Sequence, residues 1–240
     1  MMRLALIPLA IVPREKEQNI YKFECLLEYL LPKRPDLMLL PECAFTGYLY
    51  EESDLHEFAE PLDGFTITRM AHLARRHGVA LAFGFLERAS EGVYDSAVLL
   101  DRQGNLSMLY RKISEQAPFL CGTHAGIIET EWGKLGMLMC GDLFHEEALA
   151  TLSRDMRLLL VPMSRGFDGR SPDAERWERE ERSAYVEAVR QAGVPAALVN
   201  SLEQDTPEGA FGGAMLVDAE GKVLAESPHG SDMPLFVEFQ

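Results

Sequence analysis

Basic residues are scarce in this chain: Lys and Arg total 23 against 38 Asp and Glu, a net charge of −15 over 240 residues. So acidic a surface repels the phosphate backbone and anionic lipid alike, which argues against a nucleic-acid or membrane-surface role. Apolar runs are short, and none approaches the roughly 20 residues that span a bilayer. Cysteine is sparse too, at positions 25, 43, 121 and 140 without CxxC spacing, so reduced thiols in a cytoplasmic setting are expected rather than a disulfide framework. The histidines, at 56, 72, 77, 124, 145 and 229, lack ligand spacing, and no metal site is expected. Gly209 to Gly213 carries no phosphate-loop lysine and reads as a turn into a strand.

What is present is a hydrophobic content of 47%, enough for one sizeable core, with no linker, repeat or low-complexity tract. A single domain over residues 1–240 is expected. Leu4 to Val12 has the look of a short signal h-region, but Arg3 is a thin basic flank and no small-x-small site precedes Pro13 and Arg14-Glu15-Lys16. A buried first strand is the reading adopted.

Short apolar runs alternate with helical patterns throughout, as in a layered α/β domain. Strands are expected at Leu4–Leu9, Asp36–Pro41, Val79–Phe85, Tyr94–Leu100, Leu106–Lys112, Leu158–Pro162, Ala196–Asn200, Ala214–Val217, Val223–Glu226 and Leu235–Phe239, with a further hairpin from Ile127 to Cys140. Helices are expected where Ile20, Phe23, Leu27, Leu30 and Leu31 recur at helical spacing, around Ile67 to Ala74 with a stop at Gly78, from Glu146 to Ser153, and from Pro172 to Ala192. About ten strands and four helices fit a four-layer α-β-β-α sandwich, and a three-layer doubly wound sheet nearly as well.

Three residues at predicted strand ends could do chemistry. Cys140 closes an apolar strand and precedes Gly141-Asp142 and a helical segment, a position where free N–H groups and the helix dipole favour thiolate. Gly141 would let the chain turn sharply and free an amide for an oxyanion. Taken alone, a small buried core residue is the competing reading of Cys140. Glu42 ends the buried run Leu37 to Pro41, and a carboxylate there needs a partner or serves as a buried base; a strand-end cap is the alternative. Lys112 ends the strand from Leu106, where a solitary lysine would ordinarily be a solvated terminus.

In combination these residues resemble the nitrilase superfamily of carbon–nitrogen hydrolases. The resemblance lies in Leu40-Pro41-Glu42 with Thr46-Gly47-Tyr48, then Tyr110-Arg111-Lys112, then Cys140-Gly141-Asp142, in that order, with Phe211-Gly212-Gly213-Ala214 and its Asp-x-x-Gly turn near the end. It implies the α-β-β-α sandwich and a Glu42–Lys112–Cys140 triad cleaving a non-peptide carbon–nitrogen bond, amidase-like, through a thioester on Cys140. The oxyanion would be held by Lys112 and Gly141, and Glu42 would act as base and acid. No metal or organic cofactor is implied, the partner is a small-molecule amide, and a homodimer or higher homo-oligomer is expected.

The chain departs from that pattern in places. The stretch between Lys112 and Cys140 is short, and the usual Pro-Gly appears as Cys121-Gly122. Spacing back from Gly122 makes Glu115 the candidate second glutamate, against a solvated loop acid. A shortened stretch should leave the pocket mouth open to a bulky or extended amide, or leave a wall for another subunit to supply. Phe144-His145-Glu146-Glu147 lacks the arginine that relatives often carry there, which weakens a carbamoyl-amino-acid substrate. Glu187 and Arg190 look like a swapped i,i+3 pair. Ser164 and Arg165 are candidate substrate contacts beside a bland-loop reading.

Other readings are a Cys140–His145 dyad, an acyl transferase using the same thioester, and a catalytically inactive scaffold of the same fold. Retention of thiol, lysine and carboxyl argues against the scaffold.

Overall fold

The computed structural model describes residues 1–166, 174–203 and 209–240. The chain runs through β1 (Met2–Leu6), β2 (Ala10–Ile11), α1 (Lys16–Leu30), β3 (Leu37–Leu39), α2 (Glu52–Phe58), α3 (Phe65–His77), β4 (Ala80–Ala89), β5 (Gly92–Leu100) and β6 (Leu106–Arg111). There follow β7 (Gly126–Thr130), β8 (Gly133–Met137), a 3-10 turn at Cys140–Phe144, α4 (Glu146–Leu149) and β9 (Leu158–Met163). Next, α5 (Ala174–Arg176) continues through a π-helical turn (Trp177–Glu181) into α6 (Arg182–Ala192). The described residues end with β10 (Ala196–Asn200), β11 (Leu202–Glu203), β12 (Ala214–Val217), β13 (Val223–Glu226) and β14 (Leu235–Phe239).

Among these residues twelve strands form two six-stranded sheets, ordered β14-β1-β3-β4-β5-β6 and β13-β12-β10-β9-β8-β7, and β2 pairs with β11 in a separate two-stranded sheet. In each the central strands are parallel, β1 with β3 and β4, β8 with β9 and β10. Parallel neighbours need crossovers, which α1, α3, the 3-10 turn with α4, and the α5–α6 helix supply. Strand alternation then divides the residues between faces. Leu37, Leu39, Ala97, Leu99, Met108 and Tyr110 of the first sheet pack into one cluster with Leu135, Met137, Leu160 and Ala197 of the second, with Tyr185, Ala188 and Val189 of α6 joining it. The alternate residues Met38, Leu81, Phe83 and Val98 meet Phe23 and Leu27 of α1 and Met70 and Ala74 of α3. Fully burying each such side chain contributes roughly 1.5–3 kcal/mol. The architecture is therefore the α-β-β-α sandwich, and the three-layer alternative is excluded.

Several expectations need adjustment. β1 is the buried strand expected of the N-terminal segment, with Met2, Leu4 and Leu6 fully covered. Gly78 caps α3 at φ 64, the left-handed conformation that glycine tolerates best. The helix expected over Glu146–Ser153 stops at Leu149, where the backbone bonds tighten to three residues back, Thr151 N to the Ala148 carbonyl and Leu152 N to the Leu149 carbonyl, each at 3.1 Å, and the Thr151 hydroxyl also donates to the Ala148 carbonyl. The predicted start of the long helix at Pro172 lies outside the described residues. Helix α2 was not foreseen: it buries only Asp54 and Leu55, so it carries no apolar periodicity to read. Glu187 and Arg190 do form the i,i+3 pair, at 2.5 Å.

Candidate active site

The inter-sheet core ends in polar residues that keep its alternation. Asp95 continues the inward phase of Leu99 and Ala97 along β5, and Lys112 continues that of Met108 and Tyr110 from β6. The antiparallel pairing carries on past the strand end, with the Lys112 amide donating to the Asp95 carbonyl at 2.9 Å. Glu42 opens the turn that follows β3, three residues past Leu39 and so outside the strand's alternation. There the backbone passes so close to Gly84 that a Cβ at position 84 would lie 2.6 Å from the Glu42 Cα and 2.7 Å from the Cys43 nitrogen. From the second sheet, β8 leads through Leu138 and Met139 to Cys140.

Lys112 is the hub. Its Nζ lies 2.7 Å from Glu42 Oε1, 2.8 Å from Glu115 Oε2 and 3.5 Å from Asp95 Oδ2, and its charge sits 5.2 Å from the centre of the Tyr48 ring. The other Glu42 oxygen accepts the Ser164 amide at 2.8 Å, across the two sheets. Glu115 also accepts the Tyr48 hydroxyl at 2.9 Å. Gly122, whose position flagged Glu115, is required as glycine because a Cβ would fall 2.0 Å from the Arg111 carbonyl oxygen; its amide donates to the Lys112 carbonyl at 2.7 Å. The short segment after Lys112 thus folds back onto the lysine and brings Glu115 with it.

Asp142, fully buried, locks the cysteine turn to that same segment. It accepts the Ser114 amide and hydroxyl, each at 2.7 Å, and the Tyr110 hydroxyl. Cys140 itself adopts φ 41, a left-handed conformation rare for a residue with a Cβ. The sharp turn expected of Gly141 is therefore made by Cys140. Gly141 stands in the first turn of the 3-10 segment, where an N–H has no acceptor within the segment. The Cys140 sulfur lies 3.9 Å from the Tyr185 hydroxyl. Backbone strain at a side chain that does chemistry recurs at functional sites.

The electrostatics correct one expectation. Burial and the Glu42 carboxylate push the Cys140 thiol up to about 12, against the opposing pull of Lys112. The resting sulfur is a thiol, not the thiolate expected from a helix N-terminus, because the following segment is only a short 3-10 turn with little dipole to offer. Burial also raises Glu42, but the Lys112 charge, an Asp95 hydrogen bond and the Ser164 amide outweigh it and leave Glu42 below the usual carboxylate range. Burial works against the Lys112 ammonium, yet Glu42 and Asp95 hold it well above an ordinary lysine. Asp95 is raised well above its ordinary value by burial and by Glu42. A neutral thiol thus shares a buried pocket with an ionised carboxylate and a fixed ammonium.

Ser164 enters through its backbone amide on Glu42, while its hydroxyl accepts from Ser201 at 3.2 Å. Arg165 pairs with Glu181 at 3.2 Å, and its backbone exchanges two hydrogen bonds with the Asn200 amide. His145 is exposed beyond the 3-10 turn. Sequence reasoning missed Asp95, Tyr185 and the anchoring role of Asp142; Asp95 could have been found by extending the β5 alternation two residues past Ala97.

Among the described residues, Glu42, Asp95 and Glu115 form the one acidic group tight enough to invite a cation, with one oxygen of each within 4.8 Å of the others. Lys112 already occupies the position between them, so the cluster is satisfied by an ammonium.

A sandwich of two sheets with a thiol, a carboxylate and an ammonium at one end of its core defines a nitrilase-type hydrolase architecture. The carbon–nitrogen hydrolase family model matches residues 3–240, and the chain belongs to that family, an enzyme family that hydrolyses carbon–nitrogen bonds other than peptide bonds. The chain is similar to a deaminated glutathione amidase of Dictyostelium discoideum, 26% identical over 252 residues that cover 93% of this chain and 82% of that one. It is also similar to an (R)-stereoselective amidase of Pseudomonas sp., 27% identical over 197 residues, covering 80% and 69%. Its fold matches a variant of an amidase from Nesterenkonia sp. AN1 with acrylamide added at the active site cysteine, at TM-score 0.82 and 22% identity, covering 100% of this chain and 94% of that one. Among the described residues no helix is long and apolar enough to cross a membrane.

Proposed function

We propose that the chain, as a single domain over residues 1–240, hydrolyses a small-molecule amide through a thioester on Cys140, with Glu42 as general base and acid and Lys112 as electrophilic support. The observation that carries this reading is Glu42 held between the Lys112 ammonium at 2.7 Å and the Ser164 amide at 2.8 Å, where Lys112 draws its carboxyl down while burial pushes the Cys140 thiol up. A thiol held neutral by burial becomes a nucleophile when its proton has somewhere to go at the moment of attack, and Glu42 is the acceptor. As Cys140 sulfur bonds to the carbonyl carbon, the S–H proton passes to Glu42 and the carbonyl oxygen becomes an oxyanion facing the Lys112 ammonium and the Gly141 N–H. Collapse expels the amine, which takes the proton from Glu42. Water then attacks the thioester, giving a proton to Glu42, and the acid leaves as the proton returns to the sulfur.

Glu115 supports this by giving Lys112 a second short contact, at 2.8 Å, and Tyr48 supports Glu115. Arg165, braced by Glu181, and the Ser164 hydroxyl are our candidates for contacts to the acyl group. The short stretch between Lys112 and Cys140 favours an extended amide. A homodimer in a reducing, cytoplasmic setting completes the reading; light scattering on the purified protein tests the assembly.

A panel of simple amides, carbamoyl amino acids and nitriles, read by ammonia release and by intact mass, tests the chemistry. We expect amide turnover with an acyl adduct on the unmodified protein, and a loss of about 10⁴-fold or more with no adduct in Cys140→Ala. Turnover persisting in Cys140→Ala would sink the thioester.

A further inference from the structure

The proposed cycle uses Glu42, Lys112 and Cys140 and leaves Asp95 without a task, although the Asp95 side chain is wholly covered. Its two oxygens are poorly served. Oδ1 has only the weak S–H donor of Cys43, at 3.6 Å, and Oδ2 has Lys112 Nζ at a long 3.5 Å. Glu42, by comparison, takes a 2.7 Å bond from Lys112 and a 2.8 Å bond from the Ser164 amide. One ammonium with three hydrogens faces three carboxyl groups, and the two short contacts go to Glu42 and Glu115. An ionised Asp95 would be a buried anion with only half-formed hydrogen bonds beside a second anion, an arrangement that one proton removes. The proton has a nearby acceptor, because an oxygen of Asp95 and one of Glu42 lie within 4.8 Å of each other.

We propose that Asp95 is the positioning residue of the base: a neutral carboxylic acid whose O–H donates to the Glu42 carboxylate, keeping that carboxylate ionised and fixed in place. The inference rests on the reading of Glu42 as the base. No proton leaves Asp95 during the cycle; the thiol proton goes to Glu42 and returns, and the Asp95 O–H shortens or lengthens its bond as Glu42 alternates between anion and acid. The raised titration of Asp95, caused first by its burial and then by Glu42, agrees with this assignment.

The charged and titratable groups facing the pair are Lys112 and Glu115 from the segment after β6, Tyr110 within β6, Cys43 and Tyr48 from the segment after β3, and Cys140 from the second sheet. Glu203 feels Glu42 from the β11 side. Lys112 is the one cation of this set. It lies nearer to Glu42 than to Asp95, 2.7 against 3.5 Å, and with the Ser164 amide it favours the anion on Glu42, which leaves the proton to Asp95.

Two measurements test this. Infrared spectra of the unaltered protein should contain a protonated-carboxyl C=O stretch at neutral pH that Asp95→Asn removes and Glu42→Gln shifts in frequency without removing. The second is the rate of Cys140 alkylation by iodoacetamide against pH, followed by peptide mass so that the exposed Cys25 and Cys121 are counted separately. Alkylation requires the thiol proton to reach an ionised Glu42, so the rate has an acid limb set by Glu42. Asparagine keeps a neutral donor at position 95, whereas leucine removes it. We expect Asp95→Leu to move the acid limb upward by about one pH unit relative to Asp95→Asn, the size of one lost hydrogen bond to a carboxylate. A merely structural Asp95 would lower the rate at every pH and leave the limb in place. An absent infrared band, or an unmoved limb in the leucine variant, overturns the proposal. An acid limb that survives in Glu42→Gln overturns instead the reading of Glu42 as base.

Discussion

Asp36 leads into β3 and Glu42 follows its end, so opposite ends of one strand carry buried carboxylates treated in opposite ways. Asp36 is surrounded by cations: the Arg3 amide donates to it at 2.7 Å, and the Arg3 and Arg102 guanidiniums lie at 3.2 and 2.7 Å. Although burial pushes Asp36 up, the Arg3 bonds prevail and hold it below the usual range. At the other end three acids crowd one lysine. The first cluster is over-supplied with positive charge and its acid is simply an anion; the second is under-supplied, and protons must be shared. An end that stabilises can afford complete pairing, whereas an end that moves protons needs groups whose charge is unsettled.

The comparison breaks most sharply at Lys112. Replacing it with methionine leaves Glu42 and Glu115 without their cation, and we expect a loss of about 3 kcal/mol in chemical denaturation together with at least a 100-fold fall in turnover. Because the folded lysine titrates above its ordinary value, its contribution is complete below the unfolded value and is lost only as pH rises through the folded one. The penalty should shrink in acid for a separate reason, since the orphaned carboxylates take up protons there. A full-sized penalty at low pH would show that packing, not charge, holds this end together.

A smaller effect is expected at Gly84, which touches no charged group. Alanine there pushes on the backbone of Glu42 and Cys43, and we expect a cost of about 1–3 kcal/mol with reduced activity, read from melting curves and ammonia release. Stability lost with activity fully kept would mean that the base is not fixed by the strand beside it.

The smallest belongs to the paired end. Asp36→Asn should cost about 1 kcal/mol at neutral pH and leave turnover unchanged. The folded pKa of Asp36 is depressed, so its contribution is present above the unfolded value and fades as pH falls through the folded one. The difference between the variant and the parent should therefore close in acid.

How far these ends were legible in the sequence follows from their chemistry. The strand ends bearing Glu42, Lys112 and Cys140 were readable because apolar runs stop there abruptly, and Glu115 because a glycine that tolerates no Cβ keeps its spacing. The charge state of Cys140 was not readable. It depends on desolvation and on Glu42, which is remote in sequence, and local context pointed the other way. Asp95 was missed for a related reason: one acid in an otherwise apolar strand is conspicuous only when its face is followed across to the neighbouring strand. Helix α2 buries too little to leave a pattern.

The bond from the Ser164 amide to Glu42 joins residues 122 positions apart. Contacts of such long range form late in folding, after both sheets have closed on each other. A partly folded or partly synthesised chain therefore carries Cys140 without the base that would accept its proton. On the proposed role of Glu42, reactivity is switched on by completion of the fold, so unfinished copies do not present a primed thiol to the cell's electrophiles, and the appearance of fast Cys140 alkylation during refolding can serve as a clock for the final step.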